Sequence, residues 1–168
     1  MFMRKCLCLA IIAAMLSFGS AALAGSDLGQ SNALRTAMSY LSFTAFSYEG
    51  LIDQLEYEQY THDEAIYAAD NCGADWNEQA AIKAKSYLEF SAFSYDGLVE
   101  QLKFEGFTDG QAAFGAEQCN ADWEEQAAKK AKAYLEFASF SRSGLIEQLE
   151  FEGFTQDQAV YGAEANGY

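Results

Sequence analysis

Proline is absent from all 168 residues, and histidine occurs once, at His62. Without proline, no helix is broken by a missing backbone donor or a ring clash. One histidine excludes the HExxH metalloprotease helix, and no GxSxG turn, Gly-rich phosphate loop or Cys-His pairing is present either. His62 itself follows a cap threonine at a helix start, where an imidazole is solvated. Basic residues are scarce: 10 Lys and Arg stand against 25 Asp and Glu, a formal charge of −15. Such a surface repels nucleic acid and anionic lipid and suits cationic or polar partners. Acidic clusters such as Asp122, Glu124 and Glu125 read as a solvated helix start rather than a cation site. No catalytic residue, cofactor, metal ligand or small-molecule substrate is therefore expected.

Long apolar runs are confined to the first residues. MFMRK is a short basic start, CLCLAIIAAML an apolar run, and Ala22-Leu23-Ala24 a small-x-small cleavage pattern. Residues 1–24 thus read as a secretory signal peptide cut after Ala24. A lipid-anchored protein needs a cysteine directly after that cut. Gly25 occupies the place, and Cys6 and Cys8 lie too early. The mature chain is expected to be soluble in the periplasm or outside the cell, touching the membrane only if the signal stays uncleaved. GSDLGQS, residues 25–31, reads as a flexible leader.

What the chain does contain is one unit three times over. AMSYLSFTAFSYEGL, AKSYLEFSAFSYDGL and AKAYLEFASFSRSGL begin at Ala37, Ala84 and Ala131, with no insertion between equivalent positions. A fixed period of 47 residues marks tandem helical units that bury apolar faces together. At 51% hydrophobic and 15% aromatic, the chain is far from a disordered composition. The expected fold is all-α: three tandem three-helix repeats, 32–75, 76–122 and 123–168, packed into a compact array.

Local chemistry places the helices. Asp75 and Asp122, with Glu78 and Glu125 three residues on, announce the first helix of units two and three; in unit one it is expected to start near Asn32. Ser94 and Ser141 cap the second helix, and Gly106 and Gly153 suit its left-handed end. Gln59 at that place in unit one should make a less ideal turn. Thr61, Thr108 and Thr155 pair with Glu64, Gln111 and Gln158 as capping boxes for the third helix.

The last two helices of each unit have a helix-turn-helix layout, which raises DNA reading. The reading helices would be THDEAIYAADNC, TDGQAAFGAEQC and TQDQAVYGAEAN, and none contains Lys or Arg. Nucleic-acid affinity comes largely from neutralising phosphates, so no nucleic-acid partner is expected. The in-phase aromatics Tyr40/Tyr87/Tyr134, Phe43/Phe90/Phe137, Phe46/Phe93/Phe140 and Tyr60/Phe107/Phe154 read as core at helical spacing. Trp76 and Trp123 read as packing units together. Tyr48 and Tyr95 are replaced by Arg142 in unit three; a position that takes both Tyr and Arg reads as exposed and is the candidate partner contact. Cys72 and Cys119 occupy equivalent places in units one and two. An oxidising compartment favours a bridge between them. Against that, bridged Cα atoms lie within about 7 Å, a distance equivalent sites in neighbouring repeats often exceed. Free thiols and an intermolecular bridge stay open.

The unit YLEFSAFSYDGLVEQLKFEGFTDGQAAFGAEQCNADWEEQAAKKAKAYL resembles the tandem helix-turn-helix repeat of the Ltp-type host cell surface-exposed lipoproteins. The shared marks are Tyr87-Leu88, Phe93-Ser94, Gly97-Leu98, Gln101-Leu102, Glu105-Gly106-Phe107-Thr108 and Asp122-Trp123 before Gln126-Ala127. The resemblance implies an all-helical repeat protein outside the cytoplasmic membrane, with no catalytic residue. Prophage-encoded members exclude superinfecting phage by stopping DNA entry, through contact with a phage protein of the injection machinery. The implied partner is a basic or amphipathic segment of such a protein. The alternative is a structural or adhesive envelope protein that binds a host component. This chain departs from the family in lacking the lipid-attachment cysteine and in having three units where two are commonly described.

Overall fold

The structure is a computed structural model that describes residues 25–168; the expected signal peptide lies outside the described residues. Among the described residues are nine α-helices and no strand. Unit one holds α1 (Gly25–Phe43), α2 (Tyr48–Tyr57) and α3 (His62–Asn71). Unit two holds α4 (Trp76–Phe90), α5 (Tyr95–Phe104) and α6 (Asp109–Gln118). Unit three holds α7 (Trp123–Phe137), α8 (Arg142–Phe151) and α9 (Gln156–Glu164).

Helix boundaries follow side-chain chemistry at the caps. Asp75 accepts from the amides of Asn77 and Glu78, and Asp122 from those of Glu124 and Glu125. Ser47, Ser94 and Ser141 accept from the amides of Gly50, Gly97 and Gly144. Thr61, Thr108 and Thr155 form complete capping boxes with Glu64, Gln111 and Gln158. Each satisfies donors that a helix start would leave unpaired. The second helix of each unit ends in a left-handed residue: Gly106 at φ 90°, Gly153 at φ 89°, and Gln59 at φ 72°. Gln59 therefore makes the glycine turn without being glycine.

Each unit has its own core. In unit one, Leu51 and Leu55 are buried among Ala33, Ala37, Ala65 and Ala68. Leu98 and Leu102, then Leu145 and Leu149, repeat this with their own alanines. A fully buried leucine stabilises by roughly 1.5–3 kcal/mol, so these pairs anchor each unit. The small residues set the spacing of the first and third helices. A Cβ added at Gly115 would lie 2.8 Å from the Ala80 carbonyl, and one at Gly162 equally close to that of Ala127.

Two expectations are corrected. The leader 25–31 is helical, because α1 begins at Gly25 rather than near Asn32. Phe43, Phe90 and Phe137 are not core: they are 83%, 87% and 95% exposed. Each is the last residue of its helix, and the chain leaves Phe90 and Phe137 through extended Ser91 and Ala138, so no following turn covers the ring.

Candidate protein-interaction surfaces

The units meet through a polar and aromatic junction that occurs twice. The Ser47 hydroxyl donates to the Glu105 carbonyl at 2.5 Å, and Ser94 does the same to Glu152 at 2.6 Å. Lys83 pairs with Glu105 at 3.2 Å and lies 5.9 Å from the rings of both Phe46 and Tyr87, one from each unit. Lys130 repeats this, pairing with Glu152 at 2.9 Å between Phe93 and Tyr134. A cation between two ring faces gains from both, the more so when partly desolvated. Trp76 belongs to α4 yet packs against the first core, and Trp123 against the second, as expected of unit-joining residues.

Tyr48 and Tyr95 lie in this junction rather than on an open surface. Tyr48 meets Trp76 edge to face at 5.5 Å, and Tyr95 meets Trp123 at 5.6 Å. Both tyrosines are half-buried. The Tyr48 hydroxyl also donates to Asp70 at 2.9 Å, a bond that holds its pKa above the ordinary value. Arg142 is exposed and spans to Glu164 at 2.9 Å, the acid equivalent to Asp70. The Tyr-to-Arg change thus reflects the lost tryptophan neighbour, and exposure holds for Arg142 alone.

Cys72 and Cys119 are unbridged. Each thiol donates within its own unit, to Ala69 at 3.3 Å and to Ala116 at 3.1 Å. Each also packs on its own core, and this separates them. The equivalent place in unit three is Asn166, whose amide donates to Gly162 and to Ala128.

The surfaces left open to a partner are aromatic. Besides Phe43, Phe90 and Phe137, every unit exposes a second ring, Tyr57, Phe104 or Phe151. A third ring, Tyr67, Phe114 or Tyr161, is partly open as well. Phe90 and Phe137 also border an apolar cleft of about 660 Å³ between units two and three, together with Leu88, Ala133, Ala138 and Phe140. That size is within the range of ligand and anchor pockets. Sequence reading missed Phe43, Phe90 and Phe137 because it assigned in-phase aromatics to the core. The signal available was their place at the last turn of a helix.

Charge beside the cleft is mixed, with Glu89, Lys129 and Lys130 in its lining, and the acidic excess lies on other helices. The helices α3, α6 and α9 contain no Lys or Arg. His62 is paired with Glu56 at 2.6 Å on an exposed surface, a contact of small energetic value. Among the described residues, no group of three or more His, Cys, Asp or Glu is placed to hold a metal ion. No helix among them is long and apolar enough to cross a membrane.

Comparison with known proteins agrees with the threefold repeat of the fold. The family model described as host cell surface-exposed lipoprotein matches residues 29–72, 75–118 and 122–165, one match per unit. No curated protein and no solved structure matches the chain. With three tandem matches over most of its length, the chain belongs to the host cell surface-exposed lipoprotein family.

Proposed function

We propose that this chain is an exported, non-catalytic protein-interaction module that excludes superinfecting phage. It acts by contacting a phage injection protein and so blocking DNA entry. The observation that carries the reading is the exposed phenylalanine repeated on each unit, Phe43, Phe90 and Phe137, on a chain of formal charge −15. Isolated exposed apolar residues need no explanation, but rings repeated in phase, two of them bordering a cleft, support an interaction surface. The acidic surface favours a partner with a basic face, and the rings favour an apolar face on the same segment. A basic amphipathic segment of an injection protein has both.

The site of action is outside the cytoplasmic membrane, in the periplasm or at the cell surface. The test is deletion of the gene in a lysogen followed by challenge with a related phage. Restored DNA entry at unchanged adsorption supports the reading. Unchanged entry sinks it, and capture of a host envelope component from uninfected cells would favour a structural or adhesive role.

A further inference from the structure

We infer that the unit-to-unit face is closed at both outer ends of the three-unit array, so that a second copy of the chain cannot add head to tail. The two inner junctions define what such a face requires. The preceding unit supplies Phe46, Ser47 and Tyr48, or Phe93, Ser94 and Tyr95. The following unit supplies a tryptophan, a lysine and a left-handed glycine: Trp76, Lys83 and Gly106, or Trp123, Lys130 and Gly153.

Glycine is required there for space as well as for φ. A Cβ added at Gly106 would lie 2.8 Å from the Ser47 Oγ and 3.2 Å from the Glu49 Cβ. At Gly153 the corresponding distances, to Ser94 Oγ and Asp96 Cβ, are 2.8 and 3.3 Å. Contacts that short force the hydroxyl out of its bond to the next unit's carbonyl.

Unit one fails each requirement for a following unit. Gln59 stands at the glycine place and carries the side chain that the junction cannot admit. Thr36 stands at the lysine place and bonds inward to the Tyr60 hydroxyl at 2.9 Å. Gly29 stands at the tryptophan place, where an added Cβ would lie 1.7 Å from a Glu64 carboxylate oxygen. Unit three fails as a preceding unit. Arg142 replaces the tyrosine and turns to Glu164. Tyr168 folds across the face and donates its hydroxyl to the Phe140 carbonyl. Charge reinforces the block, since two copies of a −15 chain repel each other.

The experiment rebuilds one end at a time and reads association by sedimentation. A proximal variant, Gly29→Trp with Thr36→Lys, Gln59→Gly and Glu64→Gln, carries the unit-two residues. A distal variant, Arg142→Tyr with Tyr168→Ala, carries the tyrosine and clears the face. The wild type and each variant alone are expected to stay monomeric to about 1 mM, the weak limit of useful affinity. Their mixture is expected to form a one-to-one complex at least about tenfold tighter than any self-association, each variant having one competent face. Circular dichroism identifies a variant that fails to fold. In that case the pair Gln59→Gly and Arg142→Tyr replaces it, with a smaller gain expected. Head-to-tail association of the wild type, or folded variants that do not associate when mixed, would overturn the inference.

Discussion

The Ser47 hydroxyl serves two helices at once, accepting from the Gly50 amide at 2.9 Å and donating to the Glu105 carbonyl of the next unit at 2.5 Å. Ser141 keeps the first bond, at 3.1 Å, and has only the Ser143 hydroxyl in place of the second. The pair separates capping from joining. Ser47→Ala should cost about 2 kcal/mol, and Ser141→Ala about 1 kcal/mol, from typical cap and hydrogen-bond values. Urea denaturation of the three single serine variants checks this, with Ser94→Ala grouped with Ser47→Ala. Equal losses at all three positions would show that the inter-unit bond contributes nothing.

Left-handed turns give a pair of predictions of opposite sign. Gln59 sits at φ 72°, which costs an L-residue about 1–2 kcal/mol, while glycine pays about 0.5–1 kcal/mol more unfolded-state entropy. Gln59→Gly should therefore stabilise by about 0.5–1 kcal/mol. Gly106→Ala should destabilise by about 2 kcal/mol, because strain at φ 90° adds to the contact with Ser47. Thermal unfolding of both variants tests the signs.

Surface rings should matter for binding and not for folding. Phe43, Phe90 and Phe137 are more than four-fifths exposed, so replacing all three by serine should leave stability within about 0.5 kcal/mol per site. The same triple variant should lose phage exclusion when it replaces the wild-type gene in a lysogen. A large loss of stability would mean that the rings pack against something within the chain.

The repeat, its helix order and the caps of α3 to α9 were legible in the sequence, because period and capping chemistry are local. Junction roles were not. Tyr48 and Arg142 share a position, and only the presence of Trp76 across from Tyr48 explains why one is covered and the other open. Lys83 and Lys130 look like ordinary helix-surface lysines until Phe46 and Phe93 of the preceding unit are placed beside them. The end of a helix likewise escaped a periodicity argument. Phe90 is in phase with its aromatic equivalents in the other units, yet the chain turns away before anything can cover it.

A last prediction concerns pH and the link between Tyr134, Glu152 and Lys130. Burial pushes the Glu152 carboxyl up, but the Tyr134 hydroxyl and the Lys130 ammonium together outweigh it and hold the group below its ordinary 4.5. A carboxyl held low in the folded state contributes stability above its ordinary value. That contribution is lost as pH falls from 4.5 through the lower folded value. Tyr134 is shifted the other way: burial, then the bond to Glu152, raises it above 10.0. Its contribution is present below 10.0 and lost as pH rises through the folded value. Glu152→Gln removes the acid-side contribution and part of the alkaline one. It should be less stable than wild type at neutral pH, with the difference narrowing as pH drops below 4.5. Urea midpoints at neutral pH and on the acid side of 4.5 decide it; a gap that widens toward acid would refute the assignment.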